Sequence, residues 1–172
     1  GTVNLKYALV TGARDDSFDW TEGWTGKGQF WIAQQRGDDA DNGFEVDNSK
    51  KDNGAKPRSN ATVYNVTLIG DPKGPESANG MLLREGTAGI FRNIIVMGFN
   101  KSGLDINNAS THTLANGGEL SVQNCIFFSN KPDTFAAPKD GFDERAWATQ
   151  AKFNNVEIDP KLRDPYNLTA PD

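Results

Sequence analysis

The segment GIFRNIIVMG (89–98) decides the fold, because its pattern recurs along the chain. The other copies are TVYNVTLIG (62–70), LSVQNCIFFS (120–129) and two weaker ones, TVNLKYALVTG (2–12) and GQFWIAQQRG (28–37). The three strongest copies align on an asparagine, at Asn65, Asn93 and Asn124. Apolar residues alternate with polar ones on both sides of it, a pattern typical of β-strands.

A second, shorter phrase lies between these segments. Its copies are RDDSFDW (14–20), ADNGFEV (40–46), SANGMLL (77–83) and KSGLDIN (101–107). One large apolar residue falls in the same column of each copy: Phe18, Phe44, Met81 and Leu104. A polar residue and then a serine or glycine precede this column, and alternation follows it. The phrase is therefore predicted to be a tight turn that leads into a short strand.

Self-similarity at such spacings is typical of solenoids, and helical periodicity is missing through residue 130. We therefore predict an all-β fold, a right-handed parallel β-helix solenoid of about five coils, with neighbouring coils about 4.8 Å apart. Residues 1–130 would form the coils and residues 131–172 a capping helix and an extended tail. The segment 140–153 favours the helix, with Asp140 or Asp143 as its N-cap. The recurring asparagine is expected at a left-handed bend, with its amide bonded along the stack.

Composition narrows the classes of function. The 172-residue chain carries a formal net charge of −5, which argues against nucleic acid as a partner because phosphates require a basic face. It contains no run of about 18 apolar residues, so no membrane span is expected. Cys125 is the only cysteine, which excludes an internal disulfide. Its alternating surroundings predict a small residue of the core.

The segments at residues 1–35 and 57–98 resemble a known family most closely. The chain is similar to the C-terminal part of large, uncharacterised, secreted or lipid-anchored bacterial proteins. Those proteins are predicted right-handed parallel β-helices of the pectin-lyase-like superfamily. The resemblance implies a location that is extracellular, at the cell surface or periplasmic, and further coils before residue 1. It implies no reaction, because fold alone does not assign one.

Two acidic clusters are candidate metal ligands. Their members are Asp15, Asp16 and Asp19 in one coil and Asp39, Asp41 and Glu45 in the next. The alignment places Asp19 and Glu45 side by side on the outer surface, about 5 Å apart. Like charges this close raise a pKa or attract a hard cation such as Ca²⁺. Solvated turn carboxylates are the alternative, since neither the helix–loop–helix calcium pattern nor the glycine-rich nonapeptide repeat is present.

A polysaccharide lyase or hydrolase is the alternative function, with an acidic groove on the β-helix face. The residues for it would be Asp19, Glu45, Asp105 and Arg84. The hydrolases of the superfamily resemble one another in an aspartate pair, Gly-His-Gly and Arg-x-Lys, and the last two are missing here. The lyase signatures Trp-x-Asp-His and Arg-x-Pro-x-x-Arg are missing as well. We therefore assign no catalytic residue, and Arg84 is predicted to form a surface ion pair with Glu85.

Aromatic side chains suggest a binding surface for sugars. Trp24, in TEGWTGKG, is predicted to be exposed, where its ring would stack on a carbohydrate. Trp20 falls in an inward column, and Trp31 is aligned with Tyr7 at a coil bend. The only histidine, His112, lies in a Ser/Thr/Asn-rich loop (107–118) and is expected to be solvated.

These features favour a non-catalytic scaffold or recognition module, either a fragment of a longer chain or a self-associating unit. Its loops, at 36–60 and 71–79 above all, would present contacts to a ligand or partner, for which polysaccharide is one candidate. No capping segment precedes residue 1, so the N-terminal end of the stack is expected to be open. Further β-helix coils or another copy of the chain would cover it.

Overall fold

The computed structural model describes residues 1–169, which form twelve short strands and two short helices. The strands are β1 (Leu5–Thr11), β2 (Phe18–Trp20), β3 (Lys27–Gln34), β4 (Phe44–Asp47), β5 (Asn60–Ile69), β6 (Asn79–Arg84), β7 (Ala88–Met97), β8 (Ser102–Ile106), β9 (Leu120–Gln123), β10 (Ile126–Phe128), β11 (Asp133–Phe135) and β12 (Val156–Glu157). The helices are α1 (Ala109–Gly117) and α2 (Glu144–Ala148).

The strands form two parallel sheets that the chain visits in turn. Sheet A has the order β1, β3, β5, β7, β10, β12, with β9 also paired to β7, and sheet B has the order β2, β4, β6, β8, β11. One passage through both sheets is one coil, so residues 1–169 make five coils and add β12 as a further rung. All of these strands pair in parallel register. The predicted parallel β-helix of about five coils is confirmed.

The recurring asparagines lie where the strands of sheet A bend. Asn65, Asn93 and Asn124 have φ angles of 59°, 56° and 55°, in the left-handed region that asparagine tolerates better than most residues. The Asn93 side-chain amide donates to Asn65 Oδ1 at 3.1 Å. In the first two coils Tyr7 and Phe30 occupy this column, with left-handed φ angles and rings stacked at 5.4 Å. The bend is therefore a property of every coil.

The apolar column predicted for the second phrase forms the interior of sheet B. Phe18 pairs with Phe44, Phe44 with Met81, and Met81 with Leu104. Phe135 extends the column into the last coil. All five side chains are at most 9% exposed. Each coil alone would leave its apolar residue in water, so burial requires that the coils stack.

The glycine column beside it has a steric origin. Gly43, Gly80 and Gly103 lie outside the left-handed region, so a turn conformation does not explain them. A Cβ added at Gly80 would lie 2.1 Å from Val96 Cγ1 and 2.7 Å from the Gly103 carbonyl oxygen. Because neighbouring coils and the core approach the backbone this closely, only glycine fits.

Two helices interrupt the coils, and the sequence pattern predicted only one of them. Residues 109–117 form α1, which contradicts the expectation of no helix before residue 130. Its weak amphipathic pattern explains the miss, because the helix is an insertion between β8 and β9. The expected C-terminal helix exists as the short α2, and its N-cap Asp143 accepts a hydrogen bond from the Ala146 amide at 2.9 Å.

The C-terminal segment covers the last coil. Phe142, Trp147 and Phe153 are at most 5% exposed and belong to the main apolar core. The Trp147 indole donates to the Ala115 carbonyl at 3.2 Å, which joins this segment to α1. Both sheets also continue past residue 130, as β11 and β12, while residues 170–172 of the predicted tail lie outside the described residues.

Substitutions at Asn93 test how much the left-handed bend contributes to stability. Asn93→Val should lower the free energy of unfolding by about 2 kcal/mol or more, because a β-branched residue is strained at this φ. Asn93→Gly keeps the conformation and loses only the amide hydrogen bond, so about 0.5–1 kcal/mol is expected. Urea denaturation measures both. Equal losses for the two variants would show that backbone conformation is not the constraint.

Candidate functional site

The outer face of sheet B carries the predicted acidic column. Asp19 pairs with Glu45, Glu45 with Leu82, and Leu82 with Asp105, as the sequence alignment predicted. Leu82 is only 6% exposed and separates the two ends of the column. Asp105 therefore lies two coils away from Glu45, and the acidic residues do not form a continuous row.

Arg84 neutralises part of this face from the neighbouring coil. Its Nε donates to Asp47 Oδ1 at 2.8 Å, and its guanidinium also binds the Glu45 carboxylate. The predicted Arg84–Glu85 ion pair is wrong, because register places Arg84 beside Asp47. Glu85 instead accepts a hydrogen bond from the Asn53 amide at 2.8 Å. The ion-pair partner of Arg84 is therefore set by the stacking of coils and not by proximity in the sequence.

Burial and crowding of like charges raise several pKa values on this face. The pKa of Glu45 is raised to about 7, first by burial and then by Asp16, against the opposing effect of Arg84. Burial also raises the pKa of Asp16, Asp19, Asp41 and Asp105. A carboxyl whose pKa is raised toward neutrality is suited to accepting or donating a proton.

Asp16 ends a hydrogen-bonded ladder that runs through the turns. Its Oδ1 accepts from the Asn42 backbone amide at 2.8 Å and from the Asn42 side chain at 2.7 Å. Asn79 Nδ2 donates to Asn42 Oδ1, and Ser102 Oγ donates to Asn79 Oδ1, both at 2.8 Å. The polar column of the second phrase is thus an internal ladder, and Asp16 has a structural role in it.

Three carboxylates come close enough to share a cation. One ligand atom each from Asp15, Asp16 and Asp41 lies within 4.8 Å of the others, in the described part of the chain. Calcium takes six to eight oxygens and accepts mixed carboxylate, carbonyl and water ligands. Asp19 and Glu45 lie outside this group. Asp39 lies outside it as well, and its carboxylate is 3.7 Å from Arg14.

The structure places most of the aromatic residues of the first coils in or against the core, as predicted for Trp20, and corrects the predictions for Trp24 and for the bend. Trp24 is half-buried against the core, and its indole donates to the Val3 carbonyl at 2.9 Å. The prediction of an exposed Trp24 ring is therefore wrong. Trp31 pairs with Ala8 and is 3% exposed, so it is not the bend residue. The exposed rings are Tyr7 and Phe30, whose φ angles the sequence pattern did not reveal.

His112 is buried in α1, so the prediction of a solvated histidine is wrong. It is 5% exposed, its Nε2 lies 2.7 Å from the Ile106 carbonyl oxygen, and its ring stacks on Phe142 at 4.4 Å. Cys125 is fully buried, as predicted. Burial raises the pKa of its thiol to about 12, which makes it a poor nucleophile.

Glu144 is a buried acid that no sequence pattern singled out. It is 4% exposed, its Oε1 accepts from the Ile106 amide at 2.9 Å, and its Oε2 has no partner among the described residues. Burial raises its pKa to about 8. In sequence it resembled an exposed residue of a helix N-terminus, and only the packing of α2 against β8 places it inside.

The fold defines a parallel β-helix protein with an acidic outer face. The family model described as "Pectate-lyase like beta helix domain" matches residues 1–159, so the chain belongs to that family. Comparisons with curated proteins and with solved structures gave no significant match. In the described part of the chain, neither helix has the length and apolar character needed to cross a membrane.

Calcium binding at Asp15, Asp16 and Asp41 stays a prediction, and thermal unfolding tests it. Added Ca²⁺ should raise the melting temperature at pH 7 by a few degrees, and chelator should reverse the shift. The shift should shrink below pH 5, because raised pKa values at Asp16 and Asp41 let protons compete with the cation. Asp41→Asn should abolish it.

The matched control is Asp38→Asn, which removes an exposed carboxylate paired with Arg36, outside the group of three. This variant should respond to Ca²⁺ as the unmodified chain does. A melting temperature that changes with neither Ca²⁺ nor chelator would exclude a stabilising calcium site at Asp15, Asp16 and Asp41.

Proposed function

We propose that this domain is a non-catalytic scaffold and recognition module whose N-terminal end joins another β-helix edge. The proposal rests on the uncovered N-terminal end of the stack. In the described residues, β1 and β2 each pair with a neighbour on one side only. The free side of each strand has unpaired backbone groups, which is a template for pairing with another strand.

Apolar side chains are exposed at the same end. A hollow of about 370 Å³ opens there, lined mainly by Leu5, Phe18, Trp20, Trp24 and Trp31. Val3 is 74% exposed and Leu5 47% exposed. The next coil of a β-helix would bury this surface, because the same positions in later coils are covered by their neighbours. At the C-terminal end, Phe142, Trp147 and Phe153 are buried and close the core.

A second copy of the chain offers a suitable partner for the free edges. Two N-terminal ends related by a twofold axis would bring β1 against β1 in antiparallel pairing and bury both aromatic hollows. Further coils of the same β-helix would satisfy the same edges in parallel pairing. In both cases the partner is another β-helix edge.

The loops supply surfaces for recognition. The loops before β4 and before β6, within 36–60 and 71–79, pack against each other: the Gly37 amide donates to Asp71 Oδ2 at 3.1 Å, and Gln35 Oε1 accepts from Ser77 Oγ at 2.7 Å. Such cross-links hold the loops in one conformation, which lowers the entropic cost of binding. The family resemblance supports an extracellular, cell-surface or periplasmic location for a module of this kind.

Light scattering over a concentration series tests the open end. The chain should self-associate as concentration rises, and Leu5→Lys should weaken association at least tenfold, because a charge would be buried in the contact. Ile158→Lys is the matched control, since Ile158 is similarly exposed but lies at the other end of the stack. A chain that stays monomeric at high concentration would speak against the proposal.

A polysaccharide-cleaving enzyme is the second candidate, and the raised pKa of Glu45 on the outer face of sheet B favours it. A lyase needs a base that removes the proton α to a uronate carboxyl, and a pKa near 7 suits that role. Arg84 is the cation on this face that would meet the substrate carboxylate. Its ion pairs with Glu45 and Asp47 weigh against the reading, because substrate would have to compete with them.

Incubation with a panel of uronate polysaccharides and Ca²⁺ tests for turnover, with the absorbance of the unsaturated product as the readout. If the domain is a lyase, Glu45→Gln should lower the rate at least a hundredfold. Asp38→Asn should leave the rate unchanged. The scaffold proposal instead expects no product from any member of the panel.

A further inference from the structure

An apolar stripe runs along the outer face of sheet A, where polar residues are expected. After the bend, the first outward side chain of each strand pairs in register with its counterpart in the next coil. The stripe consists of Leu9, Ile32, Thr67, Ile95, Ile126 and Val156. Ile32 is 47% exposed between the buried Trp31 and Ala33. Because the stripe lies on the side of the stack, coils added at the N-terminal end would leave it exposed.

The C-terminal tail forms a wall beside this stripe. Gln34 Nε2 donates to the Pro165 carbonyl at 2.9 Å and to the Asn167 carbonyl at 3.0 Å. The Tyr166 ring packs over Gly98, where an added Cβ would lie 2.8 Å from a ring carbon. The tail therefore crosses several coils and is anchored to two of them.

A cleft of about 480 Å³ lies between the tail and the stripe. Five of its eight lining residues are apolar. They are Leu9, Ile32, Ile69, Leu162 and Leu168, and the polar ones are Thr11, Gln34 and Thr67. This volume is within the range of pockets that bind small molecules. A shallower hollow of about 320 Å³ shares Ile32 and Thr67 and extends the cleft to Ile95.

The shape of the cleft selects a linear ligand. From Leu9 to Ile95 it follows four rungs, or about 14 Å at the coil spacing, which matches an extended alkyl chain of medium length. The side opposite the tail is formed by the stacked rings of Tyr7 and Phe30 and by the asparagine bend. One end opens into a hollow of about 240 Å³ at Thr11 and Arg36, where a polar head group would stay hydrated.

The backbone of the cleft floor argues against a peptide. β3 and β5 pair with a neighbouring strand on both sides, so their amides and carbonyls are already used within sheet A. An extended peptide bound there would leave its own backbone groups without partners, which is costly. An alkyl chain has no such groups to satisfy.

We propose that this cleft, the tail cleft, binds the single alkyl or acyl chain of an amphiphile, with the head group at the Thr11 and Arg36 end. The ligand fills the space between the apolar stripe and the leucines of the tail. Its affinity comes from burial of methylene groups. The proposal is independent of the scaffold function, because it concerns the side of the stack and not its open end.

Isothermal titration calorimetry with straight-chain fatty acids of eight to sixteen carbons, below their micelle concentrations, tests the proposal on the full chain. Affinity should rise roughly threefold to fourfold per added methylene and level off once the chain exceeds the length of the cleft. Dodecyl maltoside should bind about as well as the fatty acid of equal chain length, since recognition is of the alkyl chain. Absence of binding, or affinity without dependence on chain length, would overturn the proposal.

Variants locate the site. Ile32→Gln and Leu168→Gln should each weaken binding at least tenfold without lowering the melting temperature, because both side chains are exposed in the free protein. The control is Ile90→Gln, an outward position of sheet A on the other side of the bend. Equal loss in the control would show unspecific binding and overturn the proposal.

Two further measurements distinguish the proposed alkyl ligand from other occupants of the same surface. If Ile32→Gln altered the sedimentation of the ligand-free chain, the stripe would be a contact between copies. If the chain floated with phosphatidylglycerol vesicles but bound no monomeric fatty acid, the stripe would be a membrane contact. Either result would overturn the proposal, whereas fatty-acid binding by a chain that does neither supports it.

Discussion

Parallel pairing between successive coils is the constraint on which the rest of this structure depends. Strands in neighbouring coils lie about 4.8 Å apart and exchange backbone hydrogen bonds in fixed register. Each column along the stack must therefore hold residues that tolerate close contact with similar residues in the coils above and below. Large apolar side chains meet this condition inside sheet B, glycines meet it where backbones approach, and asparagines meet it at the left-handed bend. A residue of the wrong type in one coil disturbs the coils on both sides.

The same constraint brings like charges together. Asp19 and Glu45 lie on adjacent rungs because their coils are in register, and neither can move away without breaking strand pairing. The protein compensates with Arg84, which reaches Glu45 and Asp47 from the next coil, and with Leu82, which interrupts the column. Burial and then the remaining repulsion raise the pKa of Glu45 to about 7. An acidic face with a responsive protonation state thus follows from stacking itself.

The two ends and the two sheet faces of the stack have different chemistry. The N-terminal end has free strand edges over an aromatic hollow, and the C-terminal end is closed by α2 and the aromatic residues around it. The side of sheet B is acidic and hydrogen-bonded. The side of sheet A is largely apolar, and the tail covers part of it. Gln34 in the second coil holds the tail by hydrogen bonds. The joining of coils and the ligand binding that we propose would therefore use different surfaces of the stack.

The features that repeat could be predicted from the sequence: the β-helix, its coil number, the Phe18 column, the asparagine bend and the pairing of Asp19 with Glu45. Residues at equivalent positions of successive coils share one environment, so aligning the copies is enough to place them. Tertiary packing instead set the partner of Arg84, the burial of His112 and Glu144, the meeting of Asp15 with Asp41, and the tail cleft. These features arise where insertions, turns and the tail fold across several coils. Their contacts join positions that no repeat relates, and packing alone selects them.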